Sequence, residues 1–128
     1  MKVGIIRCEK NIDSCAMRSC FKSIQNKDNA FTGYDNIELV GILPCRCPGD
    51  VAVARAKVLT ERKEAEVIFF VTCAFASKIG HGVYEFKKGS GYCDNLDEIL
   101  KKISEEAKVR VVKGTAHFPA GYKAESYG

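Results

Sequence analysis

A chain of 128 residues with 46% hydrophobic content can bury one ordinary core, but it has no room for a second domain of usual size. The formal charge of +4 comes from twenty basic and sixteen acidic residues spread along the chain, a mixed surface that argues against nucleic acid as a partner. No segment approaches the roughly 18 to 20 unbroken apolar residues of a membrane helix, and the N-terminus lacks a signal-peptide pattern. The sequence therefore predicts a cytoplasmic protein with no membrane partner.

Short apolar runs recur along the chain and end abruptly. The first reads KVGIIR, and the third, EVIFFVT, is apolar over almost its whole length. Runs of this length, rich in β-branched residues, are typical of strands buried in a parallel sheet. The four runs are residues 2–7, 37–43, 66–72 and 108–113.

Between the predicted strands the apolar residues recur at helical spacing. A short helix is predicted over 19–24, a second over about 50–64 and a third over about 94–108. The core face predicted for the second helix consists of Val51, Ala54, Val58 and Leu59. The core face predicted for the third consists of Leu96, Ile99, Leu100 and Ile103.

Strands that alternate with helices indicate parallel β-α-β units joined by right-handed crossovers. We therefore predict an α/β fold over residues 1–128, a single three-layer domain with a mostly parallel sheet of four or more strands flanked by helices. Two stretches, residues 25–36 and 74–92, fit neither period. Because the second is long for a connection in so small a domain, we expect it to cover a site.

The cysteine content is high for a chain of this length. Seven is an odd number, so a fully paired disulfide framework cannot use every thiol. In a cytoplasmic protein, thiols kept reduced for a metal, a cluster or redox chemistry are the better interpretation. The residues are Cys8, Cys15, Cys20, Cys45, Cys47, Cys73 and Cys93.

In open parallel sheets, binding sites form outside the carboxyl ends of the strands. The predicted strands end beside the thiols of Cys8, Cys45, Cys47 and Cys73. The other thiols lie in segments that the topology brings to the same edge, namely Cys15, Cys20 and Cys93. The sequence therefore predicts that all seven reach one edge of the sheet.

The sequence LPCRCPGD places Cys45 and Cys47 one residue apart at the end of the second strand. This spacing suits a chelating thiolate pair or, less well, a redox pair. Pro48 and Gly49 let the backbone turn into the next helix, whose amino end favours thiolate. Free cysteine is also among the most buried residue types, so inert core thiols remain an alternative for any one position.

Two histidines and three arginines are further candidates. His117 follows the fourth strand and is predicted to be a ligand or a proton-transfer group, whereas His81, between two glycines, is interpreted as a solvated loop residue. Arg7, Arg46 and Arg55 lie close in sequence to the thiols and are candidates to stabilise thiolates or an anionic ligand.

Three segments, VGIIRCEKNIDSCAMRSCFK, VGILPCRCPGDVAVARAKVL and VTC, resemble the CGGC domain, a small cysteine-rich family regarded as metal-binding, with zinc the expected metal. The resemblance spans nearly the whole chain. It departs at Cys45-Arg46-Cys47, which is one residue shorter than C-G-G-C, and at Cys93, which lacks the histidine that follows the family cysteine. The metal ligands that the resemblance implies are Cys8, Cys15, Cys20, Cys47, Cys73, Cys93 and His117.

Three functions remain open from the sequence. The favoured one is a metal-binding protein in which three or four thiolates, with or without His117, hold zinc. Four clustered cysteines also suit an iron-sulfur cluster. A thiol-dependent oxidoreductase is the third, with Cys8, Cys45 or Cys47 as the attacking thiol and a neighbour that resolves the disulfide.

Overall fold

The structure, a computed structural model, describes residues 1–86 and 92–128. Over these residues α-helices and β-strands alternate along most of the chain. In chain order they are β1 Lys2–Cys8, α1 Arg18–Asn26, β2 Glu38–Cys45, α2 Ala52–Lys57, β3 Val67–Phe70, β4 Ser77–Gly80, β5 Val83–Glu85, α3 Leu96–Ala107, β6 Arg110–Lys113 and β7 Glu125–Tyr127. No helix in the described ranges is long and apolar enough to cross a membrane.

The main sheet has the strand order β2-β1-β3-β6-β7. The first four of these strands are parallel, and β7 runs antiparallel to β6 at the edge. This confirms the predicted α/β class and the mostly parallel sheet, and it adds β7, which the sequence did not predict. The three-layer arrangement and the single-domain extent of 1–128 stay predictions.

The predicted connection at 74–92 contains regular structure. The strands β4 and β5 form a separate antiparallel hairpin, in which Lys78 pairs with Tyr84. Residues 87–91 of the same stretch lie outside the described residues. The hairpin strands are largely exposed, so they lack the apolar face that would have marked them in the sequence.

The helix predicted over 50–64 is present as α2, followed directly by a π-helical turn at Val58–Arg62. The predicted core face is wrong at Ala54, which is exposed. The buried residues are Ala52, Ala56 and Leu59, which recur at the i, i+4 and i+7 spacing of one helix face. In α3, by contrast, the four predicted core residues are all buried.

Two facing glycines explain why this face of α2 turns inward. Gly4 of β1 pairs with Gly41 of β2, and a Cβ on Gly41 would lie 2.9 Å from Cδ2 of Leu59. A Cβ on Gly4 would lie 3.0 Å from Cδ1 of the same side chain. The glycines therefore leave the space that Leu59 fills, and the small Ala52 and Ala56 let the helix approach the sheet closely.

Candidate functional site

Three of the four parallel strands, β1, β2 and β3, carry thiols at or just after their carboxyl ends, as the sequence predicts. Cys8 ends β1 and pairs in register with Cys45, which ends β2. Cys73 follows β3 in the short 3₁₀ turn Thr72–Ala74. Because these strands run in the same direction, the three thiols lie at one edge of the sheet.

Strand alternation separates this edge into two environments. Arg7 and Cys8 are consecutive in β1, so their side chains point to opposite faces of the sheet. Cys8 shares a face with Gly4, which lies against Leu59 of the π-helical turn. Arg7 therefore faces the other side.

The first environment, here called the thiol cavity, has a volume of about 20 Å³, close to the space that one water molecule needs. Its wall includes the apolar side chains of Phe70, Ala74 and Ile99. Its thiols come from three segments, the end of β1, the C-x-C segment and the segment before α3. They are Cys8, Cys45, Cys47 and Cys93.

The thiols of this cavity influence one another electrostatically. Burial, followed by the neighbouring thiols of Cys93, Cys8 and Cys47, raises the pKa of Cys45 to about 11, while Arg55 lowers it. Burial is also the main cause that raises the pKa of Cys93, with Cys47 and Cys8 adding to it. Both groups are therefore neutral thiols at physiological pH.

These two thiols donate hydrogen bonds to acceptors close to them in sequence. The Cys45 thiol donates to the Arg46 carbonyl at 3.7 Å, and the Cys93 thiol donates to Oδ1 of Asn95 at 3.3 Å. Among residues 1–86 and 92–128, no three His, Cys, Asp or Glu side chains are arranged to hold a metal ion. In the described residues, the thiols therefore line one cavity but are not arranged around a common metal position.

The arginines near the C-x-C segment differ in their contacts. Arg55 of α2 donates to the Pro44 carbonyl and lies close enough to Cys45 to lower the pKa of its thiol. Arg46 pairs instead with Asp50 at 3.5 Å, and both side chains are more than half exposed. The predicted support of thiolates therefore fits Arg55, whereas Arg46 is turned to the surface.

The second environment, here called the open pocket, has a volume of about 580 Å³ and lies on the Arg7 side of β1. The first residues of α1, the segments after β3 and β6, and the β4–β5 hairpin line it. The hairpin contributes Lys78 and Tyr84, so part of the 74–92 stretch lines this pocket, and that the stretch covers a site stays a prediction. The candidate ligands in this pocket are Cys15, Cys20, Cys73 and His117.

Polar contacts hold the side chains of the open pocket. Nδ2 of Asn11 donates to the Cys73 sulfur at 3.3 Å, and burial raises the pKa of that thiol to about 11. The Cys20 sulfur is hydrogen-bonded to Oγ1 of Thr115 at 3.1 Å, and burial raises the pKa of Cys20 as well. In both cases the neutral thiol is favoured.

The two histidines lie in different surroundings. The His117 ring packs on Tyr84 with centroids 4.4 Å apart, and burial followed by the charge of Lys78 lowers its pKa, which favours neutral imidazole. His81 is exposed at the turn between β4 and β5, in line with its interpretation as a solvated loop residue.

The eight predicted site residues therefore divide into two sets of four, one in each environment. Sequence reasoning missed Lys78, Tyr84 and the buried pair Thr72 and Thr115. The Gly80-His81-Gly82 turn between two short segments was the available signal for the hairpin that carries the first two.

The fold and these two environments define a cysteine-rich α/β domain with its thiols at the carboxyl edge of a parallel sheet. The model of the CGGC domain matches residues 2–116, and the chain belongs to that family. It is 37% identical over 121 residues to an uncharacterized protein, MJ0582, of Methanocaldococcus jannaschii, covering 90% of this chain and 86% of the relative. No solved structure matches the chain at a significant level.

Proposed function

We propose that this CGGC domain binds a single soft divalent metal ion, zinc before others, through the thiolates that line the thiol cavity. The observation that supports this most is that thiols from three separate segments meet at one small space. Four thiolates are a common ligand set of structural zinc sites, with zinc-sulfur distances of about 2.3 Å. The proposed ligands are Cys8, Cys45, Cys47 and Cys93.

The cavity fits the proposed ion in volume and in the type of donor. A space of about 20 Å³ suits one ion better than a four-iron cluster, whose inorganic sulfides need additional room. All seven cysteines are free, so every thiol of the cavity is available. Ligation requires Cys45 and Cys93 to leave their present acceptors and turn inward, a change of side-chain rotamer.

Charge near the cavity supports the same proposal. Four thiolates around a divalent ion carry a net charge of about −2. Arg55 lowers the pKa of Cys45 and Lys10 lowers that of Cys93, so both cations lie where that charge would form. Lys10 is held there by a hydrogen bond to the Tyr92 carbonyl.

The same pKa shifts set the direction of the pH dependence. Cys45 and Cys93 have raised pKa values, so each must release a proton when it becomes a ligand. Metal affinity is therefore expected to rise with pH in the neutral range.

A site with four protein ligands leaves no open position for a substrate, so the proposed role is metal retention. Free thiols also agree with the cytoplasmic location, which stays a prediction.

The test compares two exposed cysteines from the two environments. The protein is purified without air, and zinc and iron per chain are measured for the parent, Cys47→Ser and Cys15→Ser. We expect Cys47→Ser to lose most of its zinc, because serine is a poor replacement for a soft thiolate. Cys15→Ser should keep the parent's metal content, since Cys15 lines the open pocket.

Other outcomes would overturn the proposal in distinguishable ways. Loss of zinc in Cys15→Ser with retention in Cys47→Ser would move the metal site to the open pocket. Iron with sulfide and a brown colour would indicate a cluster in place of a single ion. Metal-free protein with fast-reacting thiols would instead support a thiol-dependent enzyme.

A further inference from the structure

The open pocket is lined by cations and by no carboxylate. Arg7, Arg18 and Lys78 contribute side chains to its wall, and no Asp or Glu of the described residues does so. The chain as a whole carries sixteen acidic residues against twenty basic ones, so this separation is local. A concave surface with charge of one sign attracts ligands of the opposite sign.

Arg7 has a donor that is not used. Its Nη2 donates to the Cys15 carbonyl at 2.8 Å, which fixes the guanidinium at the pocket wall. Its Nε is buried and has no hydrogen-bond partner among the described residues. A buried charged donor without an acceptor is unfavourable, and a shift of the Arg7 side chain toward an oxyanion in the pocket would supply that acceptor.

The amino end of α1 reaches the same pocket. Met17 precedes the helix in a left-handed conformation, with φ of 63°, and no side chain caps the first turn. The first turn also contains no acidic residue. Because the first amides of a helix lack intrahelical acceptors, this nine-residue helix presents partial positive charge beside Arg7.

The position and size of the pocket suit a small molecule. The chain passes from β1 to β2 on one side and then crosses to β3 on the other, so the strand order reverses between β1 and β3. Ligands of open parallel sheets bind outside the carboxyl ends at such a reversal. A volume of about 580 Å³ lies within the range of small-molecule sites.

We propose that the open pocket binds a small organic anion with one terminal oxyanion, a carboxylate or a phosphate, and a short apolar body. The oxyanion lies against Arg7 and the amino end of α1, and the body contacts Met17, Val71 and Tyr84. This site is separate from the proposed metal site, because Arg7 and Cys8 point to opposite faces of the sheet.

The binding experiment uses matched charged and neutral probes. Benzoate, phenyl phosphate and neutral benzamide are titrated into the ¹⁵N-labelled full chain, and the Arg7 Nε–H signal is followed by NMR. We expect saturable binding of at least one anion, a shift of that signal, and benzamide binding at least about tenfold weaker, as for a charged hydrogen bond. The stronger of the two anions identifies the oxyanion, carboxylate or phosphate.

Variants test the assignment to Arg7. Arg7→Gln should weaken anion binding about tenfold or more, since it removes both the charge and the unused donor. Lys78→Gln alters an exposed hairpin residue and should weaken it about threefold without affecting folding. Arg62→Gln, an exposed change outside the pocket, is the matched control and should have no effect.

Equal binding of benzoate and benzamide would overturn the proposal, because charge would then play no part. No saturable binding of either anion at millimolar concentration would do the same. So would equal weakening by Arg62→Gln and Arg7→Gln. Metal content is measured on the same samples, so failure here and failure of the metal proposal are seen separately.

Discussion

The thiol cavity beside Cys8 and the open pocket beside Arg7 begin at consecutive residues of β1, yet they hold their thiols differently. In the cavity, Cys8 and Cys45 are 7% and 6% exposed and lie against apolar side chains such as Ile99. In the pocket, Cys73 is half-buried and accepts a hydrogen bond from Asn11. Cys8 and Cys45 are therefore shielded from solvent by packing, although Cys47 at the same cavity is exposed, whereas the pocket is larger and organised by polar contacts.

This difference shows that a thiol's place at a sheet edge does not fix its surroundings, even where its pKa is the same. Cys45 ends one parallel strand and Cys73 follows another, and burial raises the pKa of each to about 11. The small cavity has room for the proposed ion, which would displace protons from its thiols, while the larger pocket has room for the proposed organic anion. The comparison can be tested with reagents that report on protonation and access separately.

We predict the strongest effect for the rate at which the buried thiols are alkylated. A pKa of about 11 against the ordinary 9.0 leaves Cys45 and Cys73 with about a hundredfold less thiolate near pH 8 than an unburied peptide thiol. Both should therefore react with iodoacetamide at least about a hundredfold more slowly than such a peptide. Cys73 should react faster than Cys45, because only Cys73 lies in the open pocket.

Peptide mapping by mass spectrometry over a time course measures both rates in metal-free protein. In denaturant the two cysteines should react alike, which controls for local sequence. If Cys45 reacts as fast as Cys73 in the folded protein, the cavity is accessible and the contrast between the two environments is wrong.

The sequence was sufficient to predict that thiols lie at one edge of the sheet, but not that they divide between two environments. Buried runs ending at Cys8, Cys45 and Cys73 predicted thiols at strand ends, since parallel strands share a direction. Which thiols lie together depends on which face of the sheet each helix covers. Alternation along β1 places Arg7 and Cys8 on opposite faces, but the sequence does not show which helices cover each face. The sequence therefore predicted one cluster where the structure has two environments.

The fold shows the same limit. The alternation of apolar runs and helices predicted the parallel sheet, and α3 kept the predicted core face. Directly after α2, the position of Leu59 in the π-helical turn is set by Gly4 and Gly41 on the sheet, so Ala54 was wrongly assigned to the core. The exposed hairpin and the short edge strand β7 left no apolar pattern from which to predict them.

A substitution at Gly49 tests how closely the thiol cavity is packed. Gly49 has φ of +101°, and a Cβ there would lie 2.4 Å from Cδ1 of Ile99. Gly49→Ala should destabilise the protein by about 3 kcal/mol, from a left-handed conformation costing about 1–2 kcal/mol and overpacking costing about 1–3 kcal/mol. The free energy of unfolding is measured by urea titration.

Gly33→Ala is the matched control for this change. Its φ is +85°, and no atom lies within 4 Å of the added Cβ. It should therefore show only the conformational cost of about 1–2 kcal/mol. Equal destabilisation by the two substitutions would mean that Ile99 moves aside freely and that the cavity is not closely packed.

We predict the weakest effect for the buried pair of threonines that lines the open pocket, Thr72 and Thr115. Oγ1 of Thr72 accepts a hydrogen bond from the Thr115 N–H at 2.9 Å, and Oγ1 of Thr115 accepts one from the Thr72 N–H at 3.4 Å. Both residues are buried, so Thr72→Val leaves the Thr115 amide without this acceptor and should destabilise the protein by about 1–3 kcal/mol. Thr72→Ser keeps the hydroxyl and loses one methyl group, a cost of about 0.8 kcal/mol. Urea titration of both variants separates the two effects, and a larger loss of unfolding free energy in Thr72→Ser than in Thr72→Val would show that packing, as in the thiol cavity, stabilises these threonines more than their hydrogen bonds do.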